Sequence, residues 1–204
     1  MNASFTLVAF GDSLTYGYGA PESCAYPFRL AKDFPHWNVY NRGINGDTTR
    51  EAIARIDTDV LSKRGQIVAV WFGANDSAFS EGYYRTIVEY RNNLRIIAQK
   101  ILSTTHGQAF NDGKSLPLFV TPPPTIDEND FAYTTTARLK MYSECVKQVA
   151  DDFGIPVVDF FTVLLNQQDH DDYESYFQSD GTHLSPKGYD LFYAAFRAAI
   201  DLYI

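Results

Sequence analysis

Along the chain, short apolar runs of strand length alternate with longer stretches in which apolar residues recur at helical spacing. Thr6–Phe10 is β-branched and aromatic and ends at Gly11, whereas Asn38–Asn41 is a weaker run. Ile67–Phe72 is apolar throughout, the pattern of a central parallel strand covered on both faces. Leu116–Thr121 is stopped by Pro122-Pro123-Pro124, and Pro156–Phe161 is the last strand candidate. Between these runs, Thr48 and Glu51 have the spacing of a capping box, and Ile53, Ile56, Val60 and Leu61 follow on one stripe. Tyr83–Leu102 and Thr136–Phe153 read as long helices, the second closing near Gly154-Ile155-Pro156. Ser185-Pro186 puts a cap before a proline at the first helical position, opening a terminal helix through Leu191, Ala194, Ala195 and Ala198. The alternation predicts an α/β fold in which a five-stranded parallel sheet lies between layers of helices. No repeat or linker interrupts it, so residues 1–204 are expected to form one domain, with Asn166–Ser179 as an acidic, aromatic surface loop.

Composition narrows the partners. With 45% hydrophobic and 21% charged residues the chain has ordinary globular character. A chain of 204 residues buries roughly 70% of its unfolded surface without staples. Lys plus Arg number 17 against 25 Asp plus Glu, a net charge of −8. That balance argues against binding nucleic acid or an anionic membrane, both of which call for clustered positive charge. Cys24 and Cys145 belong to no C-x-x-C pair, and two separate thiols are the simpler reading. The N-terminus lacks the basic and apolar regions of a signal peptide, and no apolar run approaches membrane-spanning length. A cytoplasmic protein is expected, and the sequons at Asn2 and Asn75 carry no weight in that setting.

Open parallel sheets bind ligands beyond the carboxyl ends of their strands. After the first strand comes Gly11-Asp12-Ser13-Leu14-Thr15, and after the second Gly43-Ile44-Asn45-Gly46-Asp47-Thr48. Gly73-Ala74-Asn75-Asp76-Ser77 follows the third, and Asp180-Gly181-Thr182-His183-Leu184-Ser185 lies beyond the last. These loops supply a hydroxyl, an imidazole, a carboxylate, a carboxamide and free backbone N–H groups, the inventory of acyl transfer. A serine hydroxyl needs an adjacent base, and His183 can serve because imidazole titrates near neutrality. Asp180, three residues earlier, can reach the other ring nitrogen and fix its tautomer, with Gly181 easing the turn. The backbone N–H groups of Ser13 and Gly46 and the Asn75 amide are candidate oxyanion donors. Tyr16, Tyr18, Phe72, Phe79 and Tyr83 are candidate walls of an acyl pocket, although core packing explains each almost as well.

These blocks resemble those of the SGNH (GDSL) hydrolase family: Gly11-Asp12-Ser13-Leu14, the glycine of Asn45-Gly46-Asp47-Thr48, the asparagine of Gly73-Ala74-Asn75-Asp76, and Asp180-x-x-His183. Their order covers residues 10 to 189, and the combination is specific where each block alone is weak. The ending Asp-Gly-Thr-His-Leu-Ser-Pro-Lys-Gly-Tyr is similar to that of isoamyl-acetate-hydrolase-like esterases. The resemblance implies a flavodoxin-like three-layer α/β/α sandwich and a cofactor-free serine esterase acting on small, short-chain carboxylic esters. It makes Ser13 the nucleophile and assigns Gly46, Asn75, Asp180 and His183 to the family's remaining roles. Thioesterase, lysophospholipase and sugar acetyl-esterase activities are rivals from the same chemistry, and a non-catalytic lipid-binding module is the rival from another class.

Each residue also has a plainer reading. Ser13 could cap a helix, Gly46 could be a turn glycine, Asn75 could form an Asx-turn, and His183 could be a surface histidine. Asp12 receives no chemical step. His36, His106 and His170 lack metal spacing, and the run Asp169-His170-Asp171-Asp172 reads as a solvated loop. Gly17-Tyr18-Gly19 fails as a dinucleotide loop because Glu22 stands at the third glycine position. Thr15 occupies the last glycine position of the α/β-hydrolase elbow, so the serine belongs to another scaffold.

Overall fold

The computed structural model describes residues 5–127, 133–169 and 172–204. The Asn2 sequon, and His170 with Asp171 of the charged run, lie outside the described residues. Five strands, β1 (Thr6–Gly11), β2 (Asn38–Gly43), β3 (Ile67–Trp71), β4 (Leu116–Val120) and β5 (Val157–Val158), form one sheet in the order β2-β1-β3-β4-β5. Every pairing is parallel. From β1 the chain winds outward to β2, then returns past β1 to β3 and continues the other way. The loops after β1 and β3 therefore part company, which opens a crevice at that switch point.

Alternation along the strands sends side chains to two cores. Val8, Phe10, Val68 and Val70 face α3 (Thr49–Asp59), α5 (Ile87–Leu102) and α6 (Thr136–Phe153), where Ile56, Ile97 and Val146 are buried against them. Leu7, Ala9, Ala69 and Trp71 face α2 (Tyr26–Asp33), α7 (Phe160–Leu165) and α8 (Pro186–Ile200), packing on Tyr26, Phe160 and Phe192. Trp71 stacks on Phe192 at 4.1 Å and donates its indole N–H to the Thr121 carbonyl at 3.1 Å. Each such large ring contributes about 2–3 kcal/mol by leaving water. Two one-turn helices, α1 (Ser13–Tyr16) and α4 (Ala74–Ser77), open directly from β1 and β3.

Three boundaries differ from the sequence pattern. The apolar run Pro156–Phe161 yields only a two-residue strand, because Asp159 caps α7 by accepting from the Thr162 backbone N–H and hydroxyl. Phe160 and Phe161 are thus helical. The helix expected from Tyr83 begins at Ile87, where Thr86 accepts from the Glu89 N–H at 3.2 Å. The segment expected to be a surface loop includes a 3₁₀ turn over Tyr173–Tyr176 and the buried Phe177, which bridges to Leu184. None of the described helices is long and apolar enough to cross a membrane.

Candidate active site

Ser13 opens α1, and Asp12 caps that helix by accepting from the Leu14 N–H at 2.9 Å. The turn is tight: a side chain on Gly11 would strike Thr15 and the Trp71 carbonyl, and one on Gly43 would strike the Tyr16 backbone. Tyr189 of α8 donates its hydroxyl to the Leu14 carbonyl at 2.9 Å, fastening α1 from above. The backbone that carries the serine is therefore tightly held. Ser13 is 7% exposed, and its hydroxyl lies 2.9 Å from Nε2 of His183.

His183 and Asp180 sit on one turn with Gly181 at φ +65° between them, so the left-handed position falls on the residue that tolerates it. Asp180 Oδ2 lies 2.6 Å from His183 Nδ1, and Oδ1 accepts from the backbone N–H groups of Thr182 and His183, both at 2.9 Å. Burial works to raise the Asp180 pKa, but the hydrogen bonds from the His183 ring and the two N–H groups outweigh it and hold the carboxyl below its usual range. An ionised Asp180 keeps the proton on Nδ1 and leaves Nε2 free to accept from Ser13.

The turn is held by segments that carry no recognisable motif. Thr125, beyond the proline run after β4, donates its hydroxyl to the Gly181 carbonyl at 2.7 Å, and the Ile126 N–H reaches the same oxygen at 2.9 Å. Gln178 donates its backbone N–H to the His183 carbonyl at 2.8 Å and its amide to the Tyr18 carbonyl at 2.7 Å. Tyr18 itself lies against the imidazole, with ring centres 4.7 Å apart.

On the opposite flank, Gly46 adopts φ +81° in the loop after β2. Asn75, in α4, donates its amide to the Asp47 carbonyl at 2.9 Å, which joins the second and third blocks while a second amide N–H remains. Neither the Ser13 nor the Gly46 backbone N–H is engaged in a hydrogen bond among the described residues. Buried charge fixes this floor. Arg55 pairs with Asp47 at 2.6 Å and donates to the Arg42 and Gly11 carbonyls at 3.0 and 2.9 Å. Arg85, nearly fully buried, donates to Thr48 Oγ1 at 3.0 Å, and its own N–H reaches the Asp76 carbonyl at 2.9 Å. Asp76 accepts from the Thr49 N–H and hydroxyl at 3.0 and 2.5 Å. Burial raises the Asp76 pKa to about 7 and that of Asp12 to about 8, the latter with one carboxyl oxygen unpartnered among the described residues.

A cavity of about 440 Å³ opens over the serine, bounded by Ser13, Asn75, Asp180 and His183 together with Ala74, Ala78, Ser80, Tyr83, Tyr133, Thr134 and Thr182. Gly46 does not itself line the cavity but packs against the Tyr83 ring, which does. Of the expected wall residues, only Tyr83 lines the cavity. Phe72 points into the core, edge-on to Phe10 at 5.0 Å, because it continues the inward alternation of β3. Tyr16 is exposed outside the cavity. Phe79 is exposed as well, held between the Tyr84 ring at 4.7 Å and the Arg138 guanidinium at 4.1 Å.

Relatives of known type share this frame. The model of the GDSL-like Lipase/Acylhydrolase family matches residues 9–191. The isoamyl acetate-hydrolyzing esterase 1 homolog of Homo sapiens is 30% identical over 92% of this chain and 78% of its own length. Its Mus musculus counterpart is 31% identical over 96% of this chain and 81% of its own. Among solved structures, the lipase/acylhydrolase from Enterococcus faecalis superposes with a TM-score of 0.78 at 25% identity, covering 96% of this chain and 95% of that one. With the family pattern spanning nearly the whole fold, the chain belongs to the GDSL-like lipase/acylhydrolase family.

Proposed function

We propose that the protein is a serine esterase that hydrolyses small, short-chain carboxylic esters through an acyl-enzyme. One observation carries the reading: Asp180, His183 and Ser13 form a continuous relay with contacts of 2.6 and 2.9 Å that opens into a cavity of about 440 Å³. The Ser13 oxygen bonds to the substrate's carbonyl carbon while its proton passes to His183 Nε2, and the carbonyl π pair moves onto oxygen. The N–H groups of Ser13 and Gly46 and the Asn75 amide receive that oxyanion, which is where such a site gains most of its rate. Collapse breaks the bond to the alcohol, which takes the proton from Nε2. Water then attacks the acyl carbon and gives its proton to Nε2, and the second collapse returns Ser13 with its proton and releases the acid.

The similarity to the isoamyl acetate-hydrolyzing esterase 1 homolog favours short acyl groups over long lipids. Cys24 and Cys145 are unpaired, which supports a reducing, cytoplasmic setting. The test is a side-by-side assay of p-nitrophenyl acetate, butyrate and octanoate and of a short acyl thioester. The reading expects kcat/KM to be highest for acetate or butyrate. A preference for octanoate would overturn the chain-length assignment, a preference for the thioester would favour the thioesterase rival, and hydrolysis of none would overturn the esterase reading.

A further inference from the structure

Tyr83 is the one large side chain in the cavity whose position depends on a glycine of the proposed oxyanion site. Its Cε1 and hydroxyl lie 3.3 Å from where a side chain on Gly46 would begin, so the ring rests on the face of that residue that only glycine leaves open. Its hydroxyl has no hydrogen-bond partner among the described residues, which makes the ring a wall rather than a strut. The loop beneath it is firmly placed. The Tyr83 N–H reaches the Ser80 carbonyl at 3.2 Å, and two residues on Arg85 is locked into the second and third blocks. The ring therefore has a fixed base and a free upper edge.

The sheet order decides which part of an ester meets it. The loop after β2, with Gly46, lies on one flank of Ser13, and the loop after β4, which holds the Asp180–His183 turn through Thr125, lies on the other. An ester whose leaving oxygen is protonated by His183 Nε2 must direct its alcohol toward the imidazole flank. The carbonyl oxygen takes the donors of Ser13, Gly46 and Asn75, so the acyl chain, the substituent that remains, is left the cavity wall away from the imidazole, to which Tyr83, Ala74, Ala78 and Ser80 contribute.

We infer that Tyr83 is the end wall of the acyl site and sets the longest acyl chain the enzyme accepts, an inference that rests on the esterase reading above. Removing the ring opens that wall and replaces none of the serine, the imidazole or the proposed oxyanion donors. The test compares wild type, Tyr83→Ala and Tyr83→Phe on p-nitrophenyl acetate, butyrate, hexanoate and octanoate, and on acetates of alcohols from ethanol to hexanol, with thermal melting to verify folding. In Tyr83→Ala the octanoate-to-acetate ratio of kcat/KM rises at least about tenfold, the scale set by a few buried methylenes. Tyr83→Phe keeps the wild-type ratio, since the ring and not its hydroxyl forms the wall. The alcohol-length profile stays as in wild type for both. Wild-type activity with an unchanged acyl profile in a folded Tyr83→Ala, or a change confined to the alcohol series, overturns the assignment. Absence of wild-type hydrolysis on every ester overturns the esterase reading and this inference with it.

Discussion

The two flanks of the site are built differently. The floor that carries Ser13, Asn75 and Gly46 grows from the ends of buried strands and is fastened by guanidinium groups, Arg55 reaching the Asp47 carboxylate and the Gly11 carbonyl and Arg85 reaching the Thr48 hydroxyl. The Asp180–His183 turn belongs to no strand or helix and is suspended by neutral hydrogen bonds from Thr125, Ile126 and Gln178. The contrast suits the proposed chemistry. Oxyanion donors act by being fixed in advance, whereas an imidazole that trades a proton with three oxygens in turn needs only a well-aimed hinge. Damage to the floor should cost rate or folding steeply, and damage to the suspension should cost alignment mildly.

The largest effect is expected at Asn75. Asn75→Ala removes a proposed oxyanion donor and the strap to Asp47, and kcat should fall about 10²–10³-fold, some 3 kcal/mol, with little change in KM. A change in KM alone would move Asn75 from the reacting oxygen to the body of the substrate.

Next comes the buried charge of the floor. Asp12 ionises near pH 4 in an unfolded chain but only at about pH 8 once burial and the nearby Asp76 and Asp47 oppose its charge. Between those values the folded state holds the extra proton, so stability falls as pH rises, by about 1.4 kcal/mol per pH unit, and the fall ends once the folded carboxyl ionises. Asp76 acts with the same sign but is nearly spent above about pH 7. Denaturant unfolding at pH 7 and 8 should therefore show wild type losing stability and Asp12→Asn losing clearly less. Equal slopes would mean that Asp12 is ionised in the folded protein.

The smallest effect belongs to the suspension. Thr125→Val keeps the shape but removes the hydroxyl that holds Gly181, a loss of about 1 kcal/mol for one neutral hydrogen bond. We expect kcat to fall several-fold, with KM nearly unchanged and the melting temperature lowered by about 2–4 °C. A loss as large as that of Asn75→Ala would erase the distinction between the two flanks.

The same contrast governs what could be read from the sequence. The floor is legible because a strand ending in Gly-Asp-Ser or Gly-Ala-Asn-Asp joins a periodic signal to polar residues at fixed offsets. Thr48-Thr49-Arg50-Glu51 likewise announces its helix, and the structure shows both halves of that capping box. The suspension is not legible: Thr125 sits just past a proline run and Gln178 in an acidic loop, and only tertiary packing brings them to the turn. Arg55 and Arg85 were equally silent, since a charged residue on or beside a helix reads as solvated until its partners are known. Position after the first and third blocks likewise does not tell wall from core. Phe72 follows the strand alternation into the core, and Asp159 with Thr162 is the local signal that turns the run Pro156–Phe161 into a helix start.

The central claim is that Ser13 attacks the substrate. The direct test is to treat the full chain with a fluorophosphonate and locate the adduct by peptide mass, in wild type and in His183→Ala. The account predicts one phosphonyl group per chain on the Ser13 oxygen, formed quickly in wild type and hardly at all without the imidazole. A protein that hydrolyses p-nitrophenyl acetate yet carries the label on another residue, or labels equally fast without His183, would contradict it.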